Sequence, residues 1–389
     1  MKCYLMNKNK KVALIEYNTN INAISEIYEL LEFQYAPYAL YAHQNTKSFN
    51  MTKEMNHWFK NRGIPSWRKD LEKLLEKLHI TSSEELLVKA YGLSLSDQYW
   101  INPVDTPLKW EDINFFTNDF EYKAFLTVSV LDSYEKEVSL MSPNNSTDGM
   151  LQKAWIIENG ERKLVKGTYH MTNQEPLNEW LATNLCKRLG FDHCAYEVDV
   201  IQGKLVSKCK CFIQENEEII TANDIFFSEK KENHVSEYMH YITILEKHGI
   251  QNAKAQFENM LLLDYLVMNY DRHMRNYGVI RNVETLQWER VTPIFDTGES
   301  MQNNQTVLQM NFHEGTGKFF SQTEKKFTEY LDIIEDINRF DISKLDGIVE
   351  EWKEILIQYQ TYTGMEPERI EKLAQGLQQR IEFVKQYKD

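Results

Sequence analysis

The opening of the chain alternates apolar and polar positions and then changes to helical spacing. Two short apolar runs, residues 4–6 and 12–15, flank a polar turn and predict a β-hairpin. From residue 55 to residue 92 leucines recur at intervals of three and four, which predicts helices that pack one face on a core. Ser82 precedes two glutamates and resembles a capped helix start within that region.

The middle of the chain, residues 140–215, has the pattern of a β-hairpin, a helix and further strands. Pro, Asn, Ser, Asp and Gly cluster over residues 140–149 and predict a loop. An Asn-Gly pair between two apolar runs predicts a tight hairpin over residues 154–166. Leucines at every fourth position predict a helix over 177–189 that ends at a glycine, and strand-like sequence follows over 195–213.

Beyond residue 230 the pattern is mainly helical. Residues 253–269 are almost entirely apolar and predict a buried helix, and residues 370–384 keep one apolar face over several turns. The stretch 270–300 differs, because it combines turns and short strands with many ionisable residues. Any chemistry in this half of the chain is therefore expected there.

Composition narrows the class of protein. The chain has 389 residues, 42% of them hydrophobic, which is enough for two or three domains, and its formal net charge is −14. That charge disfavours direct binding of nucleic acid. No apolar run is long enough to span a membrane, and the mixed start does not read as a secretory signal. Five scattered cysteines, without zinc-site spacing, favour buried thiols in a reducing cytoplasm.

An ordered set of polar residues stands in the stretch 270–300. Asp271 and Asn276 follow the buried helix directly, and Asp296 comes twenty residues after Asn276, with a predicted hairpin between them. Because a hairpin returns the chain to its starting end, the two carboxylates and the amide are expected to converge. One carboxylate can orient an attacking hydroxyl, and the other oxygens can hold Mg²⁺ against phosphates. The order D-x-x-x-x-N, hairpin, D-x-G matches that of kinase catalytic loops.

Such a site also needs a lysine for the ATP phosphates. Lys166 closes the second strand of the predicted hairpin and is the preferred candidate, with Lys163 as its competitor on the same strand. Glu175 and Glu179 begin the next helix, and Glu179 is the preferred ion-pair partner of Lys166. His273 is expected to orient the loop. The preceding loop, residues 142–149, could lie over the phosphates and donate backbone N–H groups, although it lacks a glycine-rich motif.

Together these segments resemble the HipA-like kinases, a family of bacterial serine/threonine kinases that often act as toxins. The resemblance covers most of the chain, and N-x-D-x-H-x-x-N is its most specific element; residues 93–130 have no counterpart. The matching segments are the opening hairpin, His57–Arg68, Ser146–Lys153, Leu164–Lys166, Asn269–Asn276 and Pro293–Asp296.

The resemblance implies roles for individual residues. Asp271 would be the catalytic base, Asn276 and Asp296 would hold Mg²⁺, and Lys166 would bind ATP. Ser146 and Gly149 fall in the matching nucleotide loop, and Ser146 occupies a position that family members can phosphorylate on their own chain. A phosphate there would repel nucleotide or eject the loop. Family members often act beside a DNA-binding antitoxin, so an antitoxin partner is part of the same expectation.

The predicted fold is α+β with a kinase-like two-lobe architecture. An N-terminal domain is expected over residues 1–130, a β-containing ATP lobe over 131–220 and a helical catalytic lobe over 221–389. The predicted reaction is transfer of the ATP γ-phosphate to a serine or threonine hydroxyl of a protein. Two alternatives stay open: a kinase for a small molecule or phosphoinositide, and an inactive binding protein that keeps the fold.

Overall fold

The computed structural model describes residues 1–46, 49–66, 68, 71–126, 139–147 and 152–387. Gly149 therefore lies outside the described residues. The strands are β1 (Lys2–Asn7), β2 (Lys10–Asn18), β3 (Ala23–Leu30), β4 (Tyr99–Pro103), β5 (Lys153–Glu158), β6 (Glu161–Lys166), β7 (Tyr196–Ile201), β8 (Lys204–Lys210), β9 (Glu217–Thr221), β10 (Gly278–Asn282), β11 (Trp288–Val291), β12 (Thr316–Phe319) and β13 (Ser321–Lys326).

Helices are present in both halves of the described chain, and the longest is near its end. They are α1 (Tyr38–His43), α2 (Met51–Lys60), α3 (Leu71–Leu78), α4 (Ser83–Lys89), α5 (Trp110–Ile113), α6 (Lys123–Leu126), α7 (Glu175–Leu189), α8 (Ala222–Phe226), α9 (Glu237–Lys247), α10 (Ala253–Val267), α11 (Phe327–Ile333), α12 (Ile348–Gln358), α13 (Gln360–Thr363) and α14 (Pro367–Tyr387). Short 3₁₀ helices span Phe33–Tyr35, Pro143–Ser146, Ile337–Arg339 and Ile342–Leu345. Among the described residues, no helix is both long enough and apolar enough to cross a membrane.

The first sheet confirms the predicted opening hairpin. It has the strand order β3-β2-β1-β4, with antiparallel pairs throughout. Alternate residues of the hairpin, such as Leu5, Ala13 and Ile15, are buried, and they pack in one cluster with Phe59 of α2. The segment that had no counterpart in the family pattern supplies β4, which pairs along the free edge of β1.

The second sheet has the strand order β5-β6-β8-β7 and carries Lys166 at the end of β6. Asn159 and Gly160 adopt φ values of +53° and +77°, the left-handed conformation that a two-residue hairpin turn requires. The predicted hairpin is therefore confirmed. Helix α7 follows and packs against β7 and β8. It ends, as predicted, at Gly190, whose φ of +75° lets its N–H reach the carbonyl of Cys186.

A third sheet, with the strand order β11-β10-β9, lies beside the helical core. Helix α10 is buried on nearly all sides, which agrees with its apolar sequence. The apolar face of α14 is buried in the same cluster as α10, as its periodicity predicted. The α+β fold class is confirmed. The two-lobe division and the boundaries at residues 130 and 220 stay predictions.

Candidate active site

A buried ion pair fixes the loop that follows α10. Asp264, inside the helix, and Arg272, in the loop, are 0% and 3% exposed. The guanidinium contacts both carboxylate oxygens, with Nε–Oδ2 at 2.8 Å and Nη2–Oδ1 at 2.9 Å. Asn269 donates to the same carboxylate at 2.9 Å and accepts the backbone N–H of Asp271 at 3.2 Å. The backbone that carries Asp271 is thus held against the helical core.

The hairpin β10–β11 returns the chain to this loop, as the sequence predicted. Its strands pair in antiparallel register, and Leu286, in the connection between them, has a φ of +61°. The third guanidinium nitrogen of Arg272, Nη1, donates to the carbonyls of Asn276 at 3.0 Å and Phe295 at 2.6 Å. One arginine therefore ties both ends of the hairpin together, and Asp296 follows directly after Phe295.

Lys166 lies between two carboxylates that come from different parts of the fold. Its ammonium contacts Glu179 of α7, and Nζ lies 2.6 Å from Oδ1 of Asp296. Lys166 and Glu179 are almost completely buried, whereas the Asp296 side chain is 28% exposed. The hydroxyl of Ser207, on the neighbouring strand, donates to the second oxygen of Glu179. The structure thus brings together three of the residues that the sequence selected.

These contacts set the charges at the centre. Burial alone would lower the pKa of Lys166, but the carboxylates of Asp296 and Glu179 outweigh it and hold the pKa above its ordinary value. Burial alone would raise the pKa of Asp296, but Lys166 and Lys153 outweigh it and hold the pKa below its ordinary range. At neutral pH the ammonium and the Asp296 carboxylate are therefore both charged.

The backbone of Asp296 is held in a conformation that non-glycine residues seldom adopt, with φ at +55°. Its N–H donates to the hydroxyl of Tyr196 at 3.2 Å, and the ring of Tyr196 lies 5.2 Å from the Lys166 ammonium. Just beyond, Asn178 of α7 donates to the carbonyls of Gly298 at 2.7 Å and Ser300 at 2.8 Å. Helix α7 therefore positions both Glu179 and the segment that carries Asp296.

Asp271 lies at the open side of this cluster and is 24% exposed. Its Oδ1 is 2.5 Å from Nζ of Lys318, and its Oδ2 is 3.8 Å from Nε2 of His273. Burial lowers the pKa of His273 and outweighs the opposing effect of Asp271 and Asp296, so the imidazole is neutral at pH 7. Asn276 donates its amide to the carbonyl of Asp271 at 3.2 Å, which leaves the amide oxygen for another ligand.

Two alternatives from the sequence lie outside the cluster. Lys163 pairs with Glu158 at 2.7 Å on its own hairpin, so it does not compete with Lys166. Glu175 does not pair with a lysine; its Oε1 accepts the backbone N–H groups of Tyr169 and His170 at 3.0 and 2.7 Å. The preference for Lys166 and Glu179 as the ion pair agrees with the structure.

Ser146 ends a short 3₁₀ helix within the predicted loop. Its hydroxyl donates to the carbonyls of Leu93 at 2.9 Å and Pro143 at 3.1 Å. The neighbouring Asn145 is buried and donates to the carbonyls of Leu86 and Leu140. In this structure Ser146 is therefore packed against the N-terminal helices, and only the part of the loop after Thr147 falls outside the described residues.

A second polar group borders the site. His170, Glu175 and Glu299 bring potential metal-ligand atoms within 4.8 Å of one another, the one such set of three or more among the described residues. Two of its members are paired, since Oε2 of Glu299 accepts from His170 at 2.9 Å, and the same oxygen also accepts from Asn303 at 3.2 Å and from Tyr270. This network connects the loop before α7 to the segment after Asp296.

Three residues that the sequence patterns did not single out support the centre. Asp264 and Arg272 anchor the loop, and Lys318 contacts Asp271 from a hairpin 47 residues away. The sequence does mark Asp264, because a carboxylate inside an otherwise apolar helix needs a buried partner. Nothing local marks Lys318, since its partner is distant in sequence.

Comparisons with known proteins place this arrangement in a family. The sequence model of the HipA-like C-terminal domain matches residues 145–357, more than half of the chain. No curated protein matches the sequence. Among solved structures, HipA of Shewanella oneidensis MR-1, from a toxin–antitoxin complex with HipB and operator DNA, is 14% identical with a TM-score of 0.53. That alignment covers 100% of this chain and 99% of the other.

The fold is also similar to that of the proinflammatory kinase CtkA of Helicobacter pylori, at a TM-score of 0.45 and 16% identity. The alignment covers 61% of this chain and 94% of CtkA. The alignment with HipA, in contrast, extends over the whole chain, including the N-terminal sheet. On the family match over residues 145–357, this chain belongs to the HipA-like family.

Proposed function

We propose that this protein is a kinase that transfers the γ-phosphate of ATP, with Mg²⁺, to a serine or threonine hydroxyl of a protein. The observation that carries the proposal is the Lys166 ammonium held between Glu179 and Asp296. Lys166 and Glu179 come from a strand and a helix that precede Asp271 in the chain, and Asp296 follows it. The Asp264–Arg272 pair fixes Asp271 and Asp296 in one unit. A lysine for the phosphates, oxygen ligands for a metal ion and a carboxylate base are parts that phosphoryl transfer uses.

Lys166 would bind the phosphates of ATP. Because its pKa is raised, it stays cationic throughout the physiological range. Glu179 is buried with it and restrains the ammonium, so little side-chain freedom remains to be lost when a phosphate binds. Family membership supports this role, since Lys166 lies within the matched residues 145–357.

Asp296 and Asn276 would hold the metal ion. Their free groups are a carboxylate oxygen and an amide oxygen, which are the hard donors that suit Mg²⁺. The low pKa of Asp296 keeps that carboxylate ionised for a cation. A bound Mg²⁺ supplies charge stabilisation at the phosphates.

Asp271 would act as the base. Its Oδ2 is the oxygen not bound by Lys318, and it is positioned to accept the proton of an acceptor hydroxyl. The nearby His273 is neutral at pH 7, so it does not form an ion pair with this carboxylate. The backbone bonds of the loop hold this carboxylate in place before an acceptor arrives.

The test uses two lysines of the same strand. Lys166→Met should reduce phosphate transfer from labelled ATP by at least about 100-fold, the typical loss when a positioned electrostatic group is removed. Lys163→Met removes a charge from the same strand, but its partners are Glu158 and Glu197, which lie outside the site, so its activity should equal that of the wild type. Equal loss in both variants, or in neither, would reject the role of Lys166. Label in small molecules rather than protein would favour the alternative acceptor.

We further propose that the chain can phosphorylate its own Ser146, as the family resemblance implies. Since that hydroxyl is bonded to the carbonyls of Leu93 and Pro143, the loop has to leave these partners before the reaction. Ser146→Ala should abolish self-labelling and leave labelling of a foreign protein intact. Unchanged self-labelling in Ser146→Ala would exclude this residue.

A partner protein and a location in the cytoplasm complete the proposal. The Shewanella HipA structure contains HipB and operator DNA, so we propose a small antitoxin-like partner here. We predict separately that this chain does not itself bind nucleic acid, because its net charge is −14. Purification of the tagged protein with its neighbouring gene product, by size-exclusion chromatography, tests the complex.

A further inference from the structure

The hairpin formed by β12 and β13 lies directly against the catalytic loop. The backbone N–H of Lys318 donates to the carbonyl of Tyr270 at 3.2 Å, and the hydroxyl of Tyr330 donates to the carbonyl of Lys318 at 2.9 Å. The approach is close, since a Cβ atom on Gly317 would lie 2.9 Å from the carbonyl oxygen of Asn269. The hairpin backbone is therefore held in register with the loop that carries Asp271.

Lys318 extends from this hairpin to the carboxylate of Asp271. Its Nζ lies 2.5 Å from Oδ1, and the two side chains are 39% and 24% exposed. Both groups are thus partly exposed to solvent. Because Oδ1 is bound and Oδ2 lies 3.8 Å from His273, the contact leaves one oxygen of the base for another group.

Two basic residues of the loop, Arg272 and His273, do not supply a cation to this carboxylate. Arg272 is buried, and its guanidinium donates to Asp264 and to two backbone carbonyls. His273 is neutral at pH 7 because burial lowers its pKa. Lys166 is committed to Glu179 and Asp296. Among the ion pairs of the described residues, the lysine on Asp271 is Lys318, which comes from a distant hairpin.

We infer that Lys318 is a positioning residue for the proposed phosphoryl transfer: it holds Oδ1 of Asp271 so that Oδ2 faces the acceptor hydroxyl. This inference rests on the proposed function. In the step, the acceptor oxygen bonds to the γ-phosphorus while the bond from the γ-phosphorus to the β–γ bridging oxygen breaks. The electron pair of that bond leaves with ADP, and the hydroxyl proton passes to Oδ2 of Asp271. Lys318 keeps the carboxylate turned toward that proton throughout.

The inference predicts a particular kinetic change. Lys318→Met should lower kcat on the order of 10- to 100-fold, the usual effect of losing a group that orients a reacting side chain. KM for ATP should stay at the wild-type value, since Lys166, Asp296 and Asn276 are unchanged. Lys318→Arg keeps a cation that can reach a carboxylate and should recover most of the lost kcat.

Lys325 offers a matched control on the same hairpin. Its side chain is 36% exposed, which is similar to the 39% of Lys318, but it pairs with Glu329 rather than with the loop that carries Asp271. Lys325→Met should therefore leave both kcat and KM unchanged. Thermal unfolding of all three variants should be close to that of the wild type, because the Lys318 pair is partly exposed and such pairs contribute little to stability.

Several outcomes would overturn the inference. They are an unchanged kcat in Lys318→Met, a change confined to KM for ATP, or an equal fall in Lys325→Met. Failure of Lys318→Arg to recover activity would also contradict a positioning role for the cation. The proposed function is tested separately by Asp271→Asn: if the wild type and Asp271→Asn transfer phosphate equally, the site itself is wrong, whatever Lys318 does.

Discussion

Single side chains in this protein hold the catalytic loop by charge rather than by bulk. The Asp264–Arg272 pair is almost fully buried, and each of the three guanidinium nitrogens has a partner. Two charges in the interior are tolerated only when both are present and hydrogen-bonded. The pair therefore links the stability of the helical core to the position of Asp271.

Removal of one member of this pair should be costly. Asp264→Asn leaves the Arg272 charge without its counterion, and we expect a loss of about 3–5 kcal/mol in the free energy of unfolding. Urea denaturation measures it. Glu351→Gln is the control, because the Arg188–Glu351 pair has a similar length of 2.7 Å but Glu351 is 49% exposed. It should cost less than about 1 kcal/mol; equal losses in the two variants would contradict this account.

The contact between His170 and Glu299 should make stability depend on pH. The hydrogen bond that His170 donates to Glu299 raises the pKa of His170 above its ordinary value, and this effect outweighs burial. A raised pKa gives stability that is full below the unfolded value of about 6.5 and is lost as pH rises through the folded value. The pKa of Glu299 is lowered, so this carboxylate stays ionised across that window.

The variant His170→Gln tests this dependence. The wild type should exceed it in unfolding free energy by up to about 1 kcal/mol at pH 6, since the pair is partly exposed, and by less at pH 8.5. Urea titrations at the two pH values measure the difference. His313→Gln, a change at an exposed position, is the control. A gap that stays constant or widens with pH would show that His170 is not charged in the folded protein.

At the scale of elements, local patterns predicted what depends on neighbouring residues. The hairpins at the start, at Asn159-Gly160 and between Asp271 and Asp296 were predictable because their turns and alternation lie within about twenty residues. Strand β9 was not, because it carries Glu217 and Glu218, which read as surface positions. In the fold they pair with Arg290 and Arg281, some 60 to 70 residues away.

The candidate site divides in the same way. Asp271, Asn276 and Asp296 were recognisable from their order around one hairpin, and Lys166 from its place at a strand end. Lys318 and the His170–Glu299 contact depend on pairings across 47 and 129 residues, which no local spacing reports. The residues proposed for the chemistry could therefore be selected from the sequence, whereas the distant side chains that contact them could not.

Strands β9 and β10 approach each other closely at Gly278. Gly278 begins β10 opposite Thr221 of β9, and a Cβ atom there would lie 2.1 Å from the carbonyl oxygen of Ile220. Gly278→Ala should therefore separate the strands and cost about 1–3 kcal/mol in unfolding free energy. Gly167→Ala is the control, because its added atom would meet nothing closer than 3.5 Å. Equal stability of Gly278→Ala and the wild type in urea would contradict the pairing.

At the scale of the whole molecule, buried polar contacts join the N-terminal part of the chain to the sheet formed by β9, β10 and β11. Arg281 of β10 pairs with Glu218 and also donates to the carbonyl of Ala36 and the hydroxyl of Tyr99, both at 3.2 Å. Gln98 donates to the carbonyl of Glu217 at 2.5 Å. The strand that leads out of the catalytic loop is therefore anchored on the N-terminal part of the chain.

In the proposed function, Asp271 and its neighbours transfer phosphate from ATP to protein. The most direct measurement is incorporation of label from γ-labelled ATP with Mg²⁺ into a protein acceptor, comparing the wild type with Asp271→Asn. Asn is close to Asp in size but cannot accept the proton, so we expect a fall of about 100-fold or more, with the fold unchanged by circular dichroism. Equal incorporation by both proteins would contradict the account.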